Sequence, residues 1–268
     1  MSLVIPPLAP ETLFHIGSLP VTNTIINTWM AGIIFLIVGI LISRKVSLRP
    51  GKLQNFWEYI LELIMGYFDQ VTGSRSKTLK YLPIAGTVFF FILLSNWLGL
   101  LPGTGSLLFK HELLLRPANS DLNLTLAMAV VSVVMSHLFA FGSVGVFVHL
   151  NKFIQVGSLI KSFKKGPVGI LTGVIEFGVG LIEIVSELAK VLSLSLRLFG
   201  NIFAGEVLMT VIASIVGIFM PTPFMLLELL VGLIQAGVFA MLTIVYMTVA
   251  GEAPHGDDSE HEEARVKH

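Results

Sequence analysis

The sequence has no cysteine and few charged residues. Without cysteine, the chain can form no disulfide, use no thiol nucleophile and bind no zinc through thiolates. Asp, Glu, Lys and Arg make up 13% of its 268 residues, which is about half the share usual in a soluble domain. Hydrophobic residues make up 54%, and the mean hydropathy is +0.85. This composition excludes an ordinary soluble domain and indicates a membrane protein.

The sequence also lacks the patterns typical of a signal peptide, a membrane barrel and a repeat protein. The stretch MSLVIPPLAPETLFH has no basic segment before an apolar one, so we do not expect a cleaved signal peptide. Alternating ten-residue strands, typical of a membrane barrel, are absent from the sequence, as are short-period repeats. Since backbone polar groups in lipid must be paired within a segment, we expect one domain built of helices.

Uncharged runs near the roughly 20 residues that a membrane helix needs predict an all-α polytopic membrane protein. The five predicted spans are about residues 24–42, 82–101, 124–150, 168–217 and 224–250. Residues 1–23 are Pro-rich, and the tail, 251–268, is polar and mostly acidic. Residues 53–70 carry apolar side chains at i, i+3, i+4 and i+7, which predicts an amphipathic surface helix. Its acidic residues indicate packing on protein rather than on lipid headgroups.

The fourth predicted span is too long for a single perpendicular crossing. Residues 168–217 contain no proline and no basic loop. As one helix they would be about 75 Å long, against a hydrocarbon core of about 30 Å. The segment is therefore either two spans joined by a polar turn near 183–190, or one strongly tilted helix.

Lysine and arginine are unevenly distributed between the loops. Residues 43–80 hold seven and residues 151–166 hold four, whereas 102–123 hold two and the first 22 residues hold none. The positive-inside rule then predicts an outside N-terminus and cytoplasmic loops at 43–80 and 151–166. The C-terminus is cytoplasmic if 168–217 crosses once.

Seven ionisable residues interrupt the apolar C-terminal half. Such residues inside a membrane face protein or water and usually mark a transport path. Arg197 is the costliest of these residues to place in a membrane, because a guanidinium does not lose its proton in a protein. The seven residues are Glu176, Glu183, Glu187, Lys190, Arg197, Glu206 and Glu228.

Helical spacing sorts these residues into faces. Four of them lie at intervals of seven residues: Glu176, Glu183, Lys190 and Arg197. They therefore share a helix face, with a drift of about 20° per step. Asn201 falls near that face, whereas Glu206, nine residues after Arg197, points nearly opposite on a straight helix. On the last helix, one face carries Glu228, Gln235 and Tyr246.

Structural interpretations of the same residues remain open. Glu187 and Lys190, three residues apart, can simply pair, and SELAKVLS can be a solvated turn. Arg197 can hold helices together through a buried pair with a glutamate. His137 and His149 are more typical of hydrogen-bonded core or interface histidines than of proton carriers.

Polar residues near the outer ends of spans two and three also allow both a functional and a structural interpretation. Asn96, Asp121, Asn123 and Thr125 can line an aqueous vestibule or cap helices, since Asp and Asn are good N-cap residues.

The sequence resembles a known family most clearly in two segments, ELAKVLSLSLRLFGNIFAGEVL and LIQAGVFAMLTIVYMTVAGE. With RPGKLQNFWEYI and PANSDLNLTLAM, they resemble the a subunit of F-type ATP synthases over about residues 24–250. The resemblance implies a proton-conducting stator with two long, steeply tilted helices beside a ring of c subunits. It favours the single long helix for 168–217.

The resemblance also implies partners and a location. Two proton half-channels at the ring couple proton flow to rotation and ATP synthesis, and the chain has no catalytic site of its own and no cofactor. One copy per ATP synthase complex contacts the c-subunit ring, the b subunits of the peripheral stalk and the lipid bilayer, with no nucleic acid. The location is the bacterial plasma (inner) membrane.

The residues that match the family are those found by spacing. Arg197 matches its essential arginine, and Glu206 its channel acid. The other proton-translocation positions are Asn201, Gln235, Glu183, Lys190 and Tyr246. Some relatives have histidine where this chain has Glu228, which puts two glutamates in one region. One of two neighbouring carboxyl groups can stay protonated near neutral pH, which suits a relay.

Two other classes fit the sequence less well. A secondary transporter usually shows inverted repeats and Gly- or Pro-broken helices at the midplane, and neither is evident. An intramembrane hydrolase needs a nucleophile with a base, or a metal set, and the sequence has no HExxH and no well-placed Ser/His pair.

Overall fold

The structure is a computed structural model that describes residues 7–44, 46–101, 108–109, 112–153, 166–216 and 221–251. Within them, five helical segments are long and apolar enough to cross a membrane. The helices are α1 (Asn23–Ser43), α2 (Lys52–Thr72), α3 (Arg75–Gly99), α4 (Leu122–Val144), α5 (Val146–Phe153), α6 (Gly166–Val216) and α7 (Pro221–Ala250). The all-α polytopic membrane architecture predicted from composition is confirmed.

The chain forms two compact units, which are described separately. The first comprises Met1–Val130 and Leu192–Ile244, and the second comprises Val131–Val191 and Val245–His268. The acidic tail lies outside the described residues apart from Gly251, as does most of the predicted basic loop at 151–166.

The N-terminal region of the first unit contains a hairpin that the sequence analysis did not predict. Strands β1 (Thr12–Ile16) and β2 (Leu19–Thr22) pair antiparallel across a two-residue connection, a common hairpin length. The hairpin leads directly into α1, where the Thr22 side chain accepts a hydrogen bond from the Ile25 N–H. The prolines of this region concealed the strands, because proline is confined to edge positions of a sheet.

Helices α2 and α3 form a corner in the first unit. Helix α2 buries Ile64 and Phe68, and Trp57 packs edge-on against Phe90 of α3 with ring centroids 6.0 Å apart. Two of its acidic residues pair with the first residue of α3. Nη2 of Arg75 lies 2.6 Å from Glu62, and Nη1 lies 2.8 Å from Asp69. The acids of the amphipathic helix therefore contact its own chain.

Two further short elements precede α4. Strands β3 (Leu108–Phe109) and β4 (Glu112–Leu113) pair antiparallel, and a 3-10 turn covers Ala118–Ser120.

The third predicted span, 124–150, does not remain one helix. Helix α4 ends at Val144, and α5 begins at Val146. Gly145 lies between them with φ of 93°, a conformation that costs glycine little and other residues much more. The sequence pattern missed this break because the hydropathy stays high on both sides of it.

Helix α6 runs for 51 residues without a break. This result contradicts two spans with a turn near 183–190 and supports the single long helix. Helix α7 begins with Pro221, a residue that suits the first helical position because its missing N–H would have no partner there.

Candidate functional site

Arg197 lies on an exposed face of α6 in the first unit. Its Nη2 donates a hydrogen bond to Ser193 Oγ at 3.3 Å, one turn earlier. Across the residues that the structure describes, no carboxylate lies within ion-pair distance of this guanidinium. The interpretation of Arg197 as half of a buried pair with a glutamate is therefore not supported.

Small residues flank Arg197 on the same face. Ser193, Gly200 and Ala204 are exposed with it, and an added Cβ at Gly200 would meet open space. Small residues let another helix backbone come close. The neighbouring face of this stretch packs inside the unit through fully buried Leu194 and Leu198.

An amide pair joins α6 to α7 one turn after Arg197. Asn201 Nδ2 donates to Gln235 Oε1 at 2.7 Å, and Gln235 is buried. On the packed side of α6, the hydroxyls of Ser195 and Thr125 lie 3.2 Å apart and join it to α4. The structure thus brings together two of the predicted site residues, Asn201 and Gln235.

Glu206 is held by a residue that sequence reasoning missed. Arg116 donates to Glu206 through Nε at 2.8 Å and through Nη2 at 3.0 Å. Its Nη2 and Nη1 also donate to the carbonyl oxygens of Pro7 at 2.8 Å and Ala9 at 3.3 Å. The arginine side chain is 2% exposed and the glutamate 13%. The direction of Glu206, away from the Arg197 face, is explained by this partner.

Glu228 lies in different surroundings from Glu206. It is 7% exposed, and its carboxyl group packs directly on Gly205, where a Cβ would collide with it. Its Oε1 has no hydrogen-bond partner within the described parts of the chain. Glu206 belongs to the stretch of α6 that Glu228 contacts. The Glu206 carboxylate is ion-paired, whereas Oε1 of Glu228 has no hydrogen-bond partner among the described residues.

Of the polar residues at the ends of α3 and α4, Asp121 caps a helix, and Asn96 matches neither the vestibule nor the cap interpretation. Asp121 Oδ1 accepts from the Asn123 N–H at 2.9 Å, as an N-cap does. Asn96 instead joins a buried amide chain. Its Oδ1 accepts from Asn119 at 2.7 Å, and its Nδ2 donates to the Gly232 carbonyl of α7 at 3.2 Å.

The second unit contains three other predicted site residues. Lys190 Nζ lies 2.6 Å from Glu187 Oε1, so the pairing expected from their spacing is confirmed. The same ammonium group lies 5.4 Å from the centre of the Tyr246 ring, within reach of a cation–π interaction. Glu183 is half-buried, and the side chain of Glu176 lies outside the described residues.

The chain is similar to known proteins along most of its length. Residues 25–248 match the family described as ATP synthase A chain. The chain belongs to this family. It is 33% identical over 238 residues to ATP synthase subunit a of Moorella thermoacetica, covering 89% of this chain and 94% of the relative. It is 37% identical to that of Mycobacterium ulcerans, with 86% and 87% covered. It is 35% identical to ATP synthase subunit a 2 of Syntrophotalea carbinolica, with 85% and 86% covered.

Family membership establishes the general role. Subunit a is the proton-translocating membrane subunit of the F-type ATP synthase complex, and it is not a catalytic subunit. The chain is thus a multi-pass bacterial membrane protein that works with the other subunits of that complex. The resemblance noted in the sequence is confirmed.

Proposed function

We propose that this chain forms two proton half-channels beside a rotating ring of c subunits and that Arg197 is the charge that separates them. The observation that carries the proposal is the exposed Arg197 guanidinium with no carboxylate partner in the described chain. A permanent charge in an apolar helix requires a partner or water. A carboxyl group on a neighbouring subunit meets that need.

The physical cycle follows from the cost of burying charge. A ring carboxyl group must be neutral while it faces lipid, because an ion there is prohibitively unstable. Close to Arg197, the carboxylate is favoured and the proton leaves. Since arginine does not release its own proton, it cannot pass protons directly from one half-channel to the other. A membrane potential contributes about 2.3 kcal/mol per charge per 100 mV.

We assign Glu228, Glu206 and Gln235 to one half-channel. Oε1 of Glu228, which has no hydrogen-bond partner among the described residues, can take up and release a proton. Glu206 is already paired with Arg116, so we assign it the task of keeping the channel wall polar. Gln235 and Asn201 hold the two helices together beside Arg197.

We assign Glu183, Lys190 and Tyr246 to the other half-channel. Lys190 is shared between Glu187 and the Tyr246 ring. A lysine with two partners keeps the wall of a channel polar and holds its helices in place. The distribution of Lys and Arg supports an outside N-terminus and a cytoplasmic C-terminus, so this half-channel opens to the cytoplasm.

The partners follow from the same proposal. The small-residue face around Arg197 takes the c-subunit ring, the remaining exposed apolar surface contacts lipid, and the b subunits of the peripheral stalk hold the chain still. One copy per complex is enough for this role.

Cross-linking tests the ring interface, because the chain has no cysteine of its own. In the complete complex, Ala204→Cys should form a disulfide with a cysteine placed near the ring carboxyl group. Ile33→Cys, 58% exposed on α1, is the matched control and should not react. A cross-link from Ile33→Cys with none from Ala204→Cys would contradict the proposed interface.

A further inference from the structure

Two histidines of the second unit, His137 and His149, are not among the residues assigned to either half-channel. His137 of α4 and His149 of α5 approach with Nδ1 and Nε2 3.0 Å apart. On a straight helix, residues twelve apart would be separated by about 18 Å, so the break at Gly145 brings them together. His149 is 4% exposed, and the Phe141 ring packs on it edge-on. The hydrogen bond predicted for these histidines is therefore present.

The pair continues into a chain of titratable groups. Nε2 of His137 lies 3.6 Å from Oε2 of Glu187. The other oxygen of that carboxylate accepts from Lys190, which in turn lies over the Tyr246 ring. Both nitrogens of His137 therefore face a group that can exchange a proton. The titratable groups facing the pair come from α5, α6 and α7 as well as from α4.

Two imidazoles in contact can pass a proton between them. A neutral imidazole donates from one nitrogen and accepts at the other. If both rings were cationic, two N–H groups would face each other across 3.0 Å, so the pair favours one added proton at a time. Imidazole is also the side chain whose ordinary pKa lies near neutral pH.

A metal site is the obvious alternative for two histidines and a glutamate. Among the described residues, no group of three or more His, Asp or Glu is arranged to hold a metal ion. The hydrogen-bonded contact between the two rings is instead suited to proton exchange, because each ring nitrogen in it is occupied by the other ring.

We propose that His149, His137 and Glu187 form a proton relay that joins the cytoplasmic half-channel to the aqueous phase. When Glu187 releases its proton into the half-channel, the N–H proton at Nε2 of His137 moves onto the carboxylate. His137 then takes the proton of His149 Nε2 at its Nδ1. The relay requires water to reach the other nitrogen of His149, whose side chain is 4% exposed, and to reprotonate it there. One proton enters and one leaves, and each ring must reorient before the next transfer. This proposal rests on the proposed function above.

The test uses the complete ATP synthase reconstituted in vesicles. ATP-driven proton pumping is measured between about pH 5 and pH 8 on the side that faces His149, the range in which imidazole titrates. The variants are His137→Gln and His149→Gln, which keep hydrogen-bonding groups but bind no proton. His15→Gln, exposed on β1, is the matched control.

We expect each glutamine variant to lose about tenfold in initial rate and to lose most of its pH dependence. Positioned acid–base groups contribute roughly 10²–10⁴-fold, and water can replace part of that. The double variant should be no slower than the single ones, because the groups act in series. In a His137→Ala variant, added imidazole should restore part of the rate.

Two results would overturn the relay. One is a wild-type rate in both glutamine variants. The other is an equal loss at every pH that imidazole does not restore, which indicates a structural role. If the glutamine variants do not assemble, the imidazole test on His137→Ala decides. An Arg197→Ala complex is measured in parallel, because failure of the proposed function would appear there and failure of the relay would not.

Discussion

Arg116 and Glu206, 90 residues apart in the sequence, form a doubly hydrogen-bonded ion pair inside the first unit. The pair ties the segment before α4 to the C-terminal part of α6. Arg116 also fastens the N-terminal segment through the carbonyl oxygens of Pro7 and Ala9. One buried guanidinium thus holds three distant parts of the chain beside the proposed half-channel.

Removing Arg116 should destabilise the chain strongly. Breaking a buried ion pair costs about 3–5 kcal/mol because it leaves a charge without a partner, and Glu206 with 13% exposure places the loss near the lower value. Arg116→Leu should therefore lower the thermal midpoint of the purified complex. Adding Glu206→Gln to this variant should recover part of the loss. Equal midpoints for the single and double variants would show that the pair does not couple the two residues.

Glu228 should matter more for proton conduction than Glu206. Glutamine keeps the shape of either side chain but cannot carry a proton. Glu206 is paired, whereas one Glu228 oxygen has no partner in the described part of the chain. Glu228→Gln should therefore reduce passive proton conductance by about a hundredfold, as loss of a positioned acid–base group does. Glu206→Gln should slow it less. The measurement is the conductance of membranes stripped of the catalytic subunits, and the reverse order would contradict this assignment.

The contact between Gly205 and Glu228 gives a steric test. A Cβ at Gly205 would collide with the Glu228 carboxyl group, so Gly205→Ala should displace that group. We expect reduced proton conductance with only a small loss of stability, because the displaced carboxyl group is the far end of a flexible side chain. Gly32→Ala on α1, where a Cβ meets open space, is the matched control and should leave both quantities near wild type. Unchanged conductance in Gly205→Ala would argue against a fixed position for Glu228.

The helices were predictable because each depends on local properties. Continuous hydropathy located the membrane helices, and residues at intervals of seven marked one face of the helix that became α6. The spacing of Asn201 and Gln235 on their own helices marked two residues that do meet. Each of these predictions used only the residues of a single helix.

The contacts that join distant segments were not predictable. The sequence around Arg116 does not indicate that Glu206 is its partner. The only indication of this pair was that an acidic residue in an apolar helix needs a positive charge nearby. The approach of His137 to His149 depends on one positive φ angle at Gly145, which hydropathy does not report. The hairpin before α1 was hidden by its prolines.

Arg197→Ala in the reconstituted complex tests the central claim most directly. ATP synthesis driven by an imposed proton gradient is measured beside Arg197→Lys and the control Arg49→Ala, which removes an arginine exposed between α1 and α2. We expect Arg197→Ala to abolish synthesis, Arg197→Lys to impair coupling because a buried lysine can lose its proton, and Arg49→Ala to remain near wild type. Synthesis near the wild-type rate in Arg197→Ala vesicles would contradict the account.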